Sequence, residues 1–184
     1  SDVCSSDLAR YRAAYFDVFP GVWRHGDWLR IDADEGCTIT GRSDSTINRG
    51  GLRMGTSEIY SAVEALPEVL DSLVVEADLG GEDTELLLFV TLAPDADLPG
   101  LQTRIRDAIR SGLSPRFIPD VLRPAPAVPR TLSGKKQEIP VKRILQGEDP
   151  ARFVDRSAMA NPDCLDWYIT VGVEERARRG AAAR

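Results

Sequence analysis

Between Asp71 and Leu92 the chain reads DSLVVEADLGGEDTELLLFVTL, two apolar runs rich in β-branched and leucine side chains around a glycine pair. Runs of this kind fit a pleated surface, and glycines between them supply the backbone freedom that a hairpin turn needs. Helical patterns lie on both sides. Thr56 stands as an N-cap before Ile59, Val63 and Leu66, with Glu58 in the first turn and Pro67 as the stop. Leu101, Ile105, Ile109 and Leu113 recur at every fourth position, separated by Arg104, Arg106, Asp107 and Arg110, the pattern of an amphipathic helix. A further strand-like run, a loop and a last helix follow before Gly147. The expected fold class is therefore α+β, a short sheet flanked by helices.

The boundaries expected around this module come from changes in composition. Residues 1–8, SDVCSSDL, lead into no apolar period and read like a translated sequencing adapter; the alternative is a native serine- and aspartate-rich start. On the first reading the natural protein continues upstream. Residues 9–41 are aromatic-rich and hold two short extended runs, WLRID and CTITG, around the turn ADEG, a hairpin with too little around it to form a domain. Residues 42–147 make the module itself. Residues 148–184 turn polar and end in ERARRGAAAR, expected to be an extension with a frayed or helical tail.

Charge and composition exclude several functions. A formal net charge of -6 argues against a general nucleic-acid binder, which normally carries a basic face. No run is long and apolar enough for a membrane span, and no signal peptide is evident, so a cytoplasmic location is expected. The three cysteines, Cys4, Cys37 and Cys164, form no CxxC pair and stand with a single histidine, His25; neither a zinc site nor a disulfide framework is expected.

Two stretches carry chemistry. In GRSDSTINRGGLRMGTSEIY, Gly41 to Tyr60, a glycine pair lets a ligand approach the main chain, and Arg42 and Arg53 bring forked positive charge suited to phosphates. A tight turn with two solvated arginines would look the same. In PRTLSGKKQEIP, Pro129 to Pro140, Lys135 follows Ser-Gly on a loop held between prolines, a compact charge able to reach a phosphate; a solvated lysine-rich turn is the plain alternative. The glycine spacing of a Walker loop is absent.

With HGDW at His25 to Trp28, these stretches resemble, in order and spacing, the adenylate-forming superfamily of acyl-CoA synthetases, luciferases and peptide-synthetase adenylation domains. The resemblance runs from about Tyr11 to Leu145. YFDVFPGVWRHGDW, GRSDSTINRGGLRMGTSEIY, LSGKKQEIPVKRIL and MANPDCLDWY look most like the branch that joins acetoacetate to CoA. Acetyl-CoA synthetases usually carry TGD, SGHR and SGKIMR at the corresponding places, and this chain departs from all three.

That resemblance implies the small, mobile C-terminal domain of such a ligase, preceded by a β-hairpin remnant of its large N-terminal domain. It implies the substrates ATP, CoA and acetoacetate, with Mg2+ held in the missing N-terminal domain. Asp27 matches the aspartate that accepts both ribose hydroxyls, Arg42 the arginine at the ribose and phosphates, and Asp44 the hinge. Lys135 matches the lysine that stabilises charge during adenylation. Gly51 matches the glycine that leaves room for the pantetheine arm, and Arg53 an arginine near the active site. Arg110, by its spacing before SGK, would meet the CoA 3′-phosphate, or is simply an exposed helix arginine. A ligase for another short acyl acid such as acetate remains open, as does a free-standing nucleotide- or CoA-binding module. The fragment alone is expected to be inactive.

Overall fold

The computed structural model describes residues 8–9, 11–13, 15–42, 46–49 and 51–182. The chain divides into two compact units, residues 1–44 and 45–184. In the first, β1 (Asp27–Ile31) and β2 (Cys37–Arg42) pair antiparallel, with a register shift between Trp28 and Leu29. The turn between them closes through Asp32 N–H on the Gly36 carbonyl, with Glu35 at φ 63°. Leu29, Ile31 and Ile39 of this hairpin are exposed.

The second unit is built on a mixed three-stranded sheet. β5 (Val69–Ala77) pairs antiparallel with β6 (Glu85–Leu92), and β6 pairs parallel with β7 (Val121–Pro124), so β6 is central. A parallel partner requires a crossover, supplied by α2 (Leu98–Gly112). Central position explains the ELLLFVTL run: both faces of β6 are covered, so its residues show no alternation of apolar and polar.

Each face has its own core. Val74, Leu86, Leu88 and Val90 point towards α1 (Thr56–Val63), α2 and a small hairpin of β3 (Ile47–Arg49) and β4 (Leu52–Met54). Leu73, Val75, Leu87 and Phe89 point to the other side, against α3 (Glu138–Leu145) and α4 (Cys164–Ala182). α3 and α4 touch closely at Gly172, where a Cβ would lie 3.1 Å from the Ile144 carbonyl oxygen and 3.2 Å from Leu145 Cα. Arg176 of α4 also donates to the carbonyls of Ile144 and Leu145, satisfying the open end of α3.

Three expectations change here. Thr56 is the first helical residue of α1 rather than its cap; Gly55 occupies the cap, and the Thr56 hydroxyl donates to Glu138 Oε1 at 2.7 Å. NRGGLRMG contains the two strands of a hairpin, not a plain loop. The packing does not end at Gly147, because Met159, Leu165, Tyr168 and Val171 are buried in the second core. Of residues 1–8, only Leu8 lies within the described residues.

Candidate active site

The lysine loop begins and ends on a β-bridge between Arg130 and Lys136. Within it Thr131 N–H donates to the Lys135 carbonyl at 2.9 Å, and Lys135 N–H returns to Thr131 Oγ1 at 3.1 Å. Gly134, at φ 83°, turns the chain and donates to the Thr131 carbonyl. The Lys135 backbone is thus held from both directions while its side chain is exposed, and its ammonium has no partner among the described residues. Leu132, 71% exposed, stands at the same tip.

Lys136 points the opposite way, as successive residues of extended chain do. Its Nζ donates to Glu64 Oε1 and to the Ser72 carbonyl, both at 2.6 Å, lies 3.1 Å from Asp71 Oδ1, and sits 3.7 Å from the centroid of the Tyr60 ring. Below that ring edge, the Tyr60 hydroxyl donates to Glu138 Oε1 at 2.6 Å and accepts from Val74 N–H. Burial, then the Glu138 carboxylate, holds the Tyr60 phenol well above the usual range, so it stays protonated.

The second candidate surface is the β3–β4 hairpin. Arg49 pairs with Leu52, and Gly51 lies in the turn between them. Gly51 has φ 84°, where L side chains are strained, yet a Cβ there would meet nothing within 4 Å. Arg53, on β4 opposite Asn48, is exposed and without a partner among the described residues. Ile47 and Met54 root the hairpin in the core. Two polar ties set its direction. Asn48 N–H donates to Glu76 Oε2 at 3.0 Å, and Arg49 meets Asp120 at 2.5 and 3.1 Å. Asp120 also accepts Leu86 N–H at 2.8 Å. Burial pushes the Asp120 carboxyl up, but the Arg49 guanidinium and that N–H outweigh it and leave it below the usual carboxylate range. Arg49 is correspondingly raised, chiefly by its bond to Asp120.

The two surfaces are fastened to different ends of one strand. Asp71 and Glu76 are five positions apart on β5, which at about 3.3 Å per residue separates the two anchors by roughly 17 Å. Arg110, in the last turn of α2, is exposed and ion-paired to Asp107 at 2.5 Å. In the first unit Asp27 opens β1 directly across from Arg42, which closes β2, and its Oδ2 lies 2.6 Å from His25 Nδ1. Asp44 lies outside the described residues. Arg130, Lys136 and Asp71 match no motif position that the sequence displays as a site residue. Alternation within the extended KK pair was the available signal.

Among the described residues, no group of carboxylates, histidines and cysteines is arranged to hold a metal ion, and no helix is long and apolar enough to cross a membrane. Cys164, half-buried, donates to the Asn161 carbonyl, and burial pushes its thiol up to about 11, so it is no nucleophile near neutrality.

No protein-family profile matches the chain. It is 46% identical over 163 residues to acetoacetyl-CoA synthetase of Mus musculus, a match covering 87% of this chain and 24% of the relative. It is 44% identical over 170 residues to acetoacetyl-coenzyme A synthetase of Rhizobium meliloti, covering 92% and 25%. The structure of acetoacetyl-CoA synthetase from Streptomyces lividans superposes with a TM-score of 0.82 at 44% identity, over 92% of this chain and 25% of that one. Over these residues the chain is similar to acetoacetyl-CoA synthetases. Its fold is that of the C-terminal domain of adenylate-forming enzymes. It spans about a quarter of the length of the acetoacetyl-CoA synthetases that it matches.

Proposed function

We propose that this chain is the mobile catalytic lobe of an acetoacetate–CoA ligase that converts ATP, acetoacetate and CoA into acetoacetyl-CoA, AMP and diphosphate. In the first half-reaction a carboxylate oxygen of acetoacetate attacks the α-phosphorus of ATP and diphosphate leaves. In the second, the CoA sulfur, its proton lost to solvent, attacks the acyl carbon and AMP leaves. Lys135 stabilises the charge that builds on the phosphate in the first step. Asp27 holds the ribose hydroxyls, Arg42 the ribose and phosphate region, and Asp44 is the hinge about which the lobe turns. Gly51 then faces the adenylate and leaves room for pantetheine, with Arg53 nearby and Arg110 at the CoA 3′-phosphate. Mg2+ neutralises the phosphates when bound. The family resemblance assigns its ligands to the large domain.

The observation that carries this reading is the pair of exposed features whose loops are anchored at the two ends of β5, an ammonium at Lys135 without a partner among the described residues and an open glycine turn at Gly51. A lobe that serves two steps in turn needs such separation. In the full-length ligase, Lys135→Ala should abolish acetoacetate-dependent pyrophosphate exchange while largely sparing thioester formation from supplied acetoacetyl-adenylate. Gly51→Leu should do the reverse. Equal loss of both steps in Lys135→Ala, or slowed exchange in Gly51→Leu, rejects these roles. The fragment alone should release no pyrophosphate, and the full-length enzyme should prefer acetoacetate to acetate and butyrate.

A further inference from the structure

We propose that Asp71 is a positioning residue for adenylation, the single carboxylate that clamps both stems of the lysine loop and so fixes where Lys135 can reach. The inference rests on the reading that Lys135 acts in that step. Arg130 enters the loop and Lys136 leaves it, bridged to each other across its base. Both converge on Asp71. Arg130 donates through Nε to Oδ2 at 3.1 Å and through Nη2 to both oxygens at 2.8 Å, while Lys136 Nζ lies 3.1 Å from Oδ1. Asp71 Oδ1 also accepts Ser72 N–H at 2.9 Å, which ties the carboxylate to its own strand. Arg130 has a further contact that reaches the tip: its Nη1 donates to the Gly134 carbonyl at 2.6 Å, one residue before Lys135.

The geometry separates the clamp from general packing. A forked guanidinium on a carboxylate fixes direction as well as distance, because two parallel bonds resist rotation. The loop residues 132–135 are exposed and contribute no side chain to either core, so their conformation depends on hydrogen bonds alone. Releasing Asp71 removes the shared attachment of both stems. The far anchor of the β3–β4 hairpin, at Glu76 and Asp120, is untouched by that change. Loss at Asp71 is therefore selective for one half-reaction.

The test uses Asp71→Asn, with Arg130→Lys as a second variant that keeps the charge but loses the fork. In the 184-residue chain, hydrogen exchange at the Gly134 and Lys135 amides should quicken at least tenfold in Asp71→Asn while β6 amides stay unchanged. In the full-length ligase, Asp71→Asn should slow pyrophosphate exchange at least tenfold and leave thioester formation from supplied adenylate within about twofold. Arg130→Lys should shift both readouts in the same direction. The double variant Asp71→Asn/Lys135→Ala should be no slower than Lys135→Ala, since a residue acting through Lys135 has nothing left to position. Unchanged loop exchange, equal loss in both half-reactions, or additive losses in the double variant overturns the proposal. Normal adenylation by Lys135→Ala overturns the role of the lysine instead, and Asp71 is then judged on loop exchange alone.

Discussion

Two adjacent lysines with identical chemistry should respond oppositely to the same substitution. Lys136→Met removes two charge-assisted bonds at 2.6 Å, an ion contact at 3.1 Å and a cation over the Tyr60 ring, all from a side chain only 14% exposed. Hydrogen bonds to charged groups contribute about 1.5–3 kcal/mol each, and a cation over an aromatic ring about 0.5–1 kcal/mol. Glu64 is one-third exposed, which weakens its share, and it keeps the Ser72 N–H and hydroxyl at 3.0 and 2.7 Å. Asp71 keeps Arg130. The methionine stem still covers the tyrosine face. The net loss is therefore about 2–4 kcal/mol, which at roughly 3 °C per kcal/mol for a unit of this size lowers Tm by about 6–12 °C. Lys135→Met, on an exposed side chain without a partner among the described residues, should stay within about 0.5 kcal/mol of the parent. Thermal melts of the two variants, followed by circular dichroism, decide the matter. A shift below about 2 °C for Lys136→Met, or equal shifts for both, refutes the division of labour between the two lysines.

Truncation after Gly147 should abolish cooperative melting, because it strips Met159, Leu165, Tyr168 and Val171 from the core and uncovers Leu73 and Phe89; a soluble truncated chain with an unchanged melt refutes this. Leu165→Ala, fully buried on α4, should by itself cost about 2–5 kcal/mol in denaturant titrations. The Asp120 tie predicts an acid weakness in the β3–β4 hairpin. A carboxyl whose folded pKa is depressed stabilises fully above its unfolded value of about 3.9, and that contribution is lost as pH falls through the folded value. Protection of the Asn48 amide, its exchange rate taken relative to that of an unfolded chain at the same pH, should therefore fall below about pH 4, and Asp120→Asn should remove the part of that pH dependence due to Asp120. Identical profiles for both proteins sink the assignment.

What could be read from residue order was what repeats. Every-fourth spacing marked α2 because Leu101, Ile105 and Ile109 all face one core. The β5–β6 hairpin was evident because its strands are long, apolar and joined by glycines. The β3–β4 hairpin was hidden by strands of three residues, too short to establish a period, so the glycine pair in the sequence suggested a ligand loop. α4 was obscured for a different reason. Its buried side carries Gly172 and Glu175 among the apolar residues, and Glu175, 1% exposed, is held by Arg123 and Arg178. Ion pairing conceals the stripe that an uncharged core helix would display. At the candidate site, the exposed groups Lys135, Arg53 and Gly51 were legible as motif residues. Their supports were not, since Asp71, Glu76 and Asp120 act across long sequence separations and belong to no local pattern.

This distribution of supports gives the proposed two-step cycle a physical basis. Each candidate loop is tied to the rest of the unit through carboxylates as well as by its own bonds: the lysine loop through Asp71, and the glycine hairpin through Glu76 and Asp120. β5 connects the two anchors, and it is hydrogen-bonded along its length to β6, whose faces are both packed. A strand so confined transmits little displacement from one end to the other, because closely packed interiors resist deformation. Each loop therefore keeps its geometry whichever of them is engaged. On the proposed cycle, the change between adenylation and thioester formation must then be a turn of the whole lobe rather than a rearrangement within it. Mutations at one anchor should leave the opposite half-reaction intact, whereas a change that disrupts β5 itself, such as a proline at Val74, should lose both.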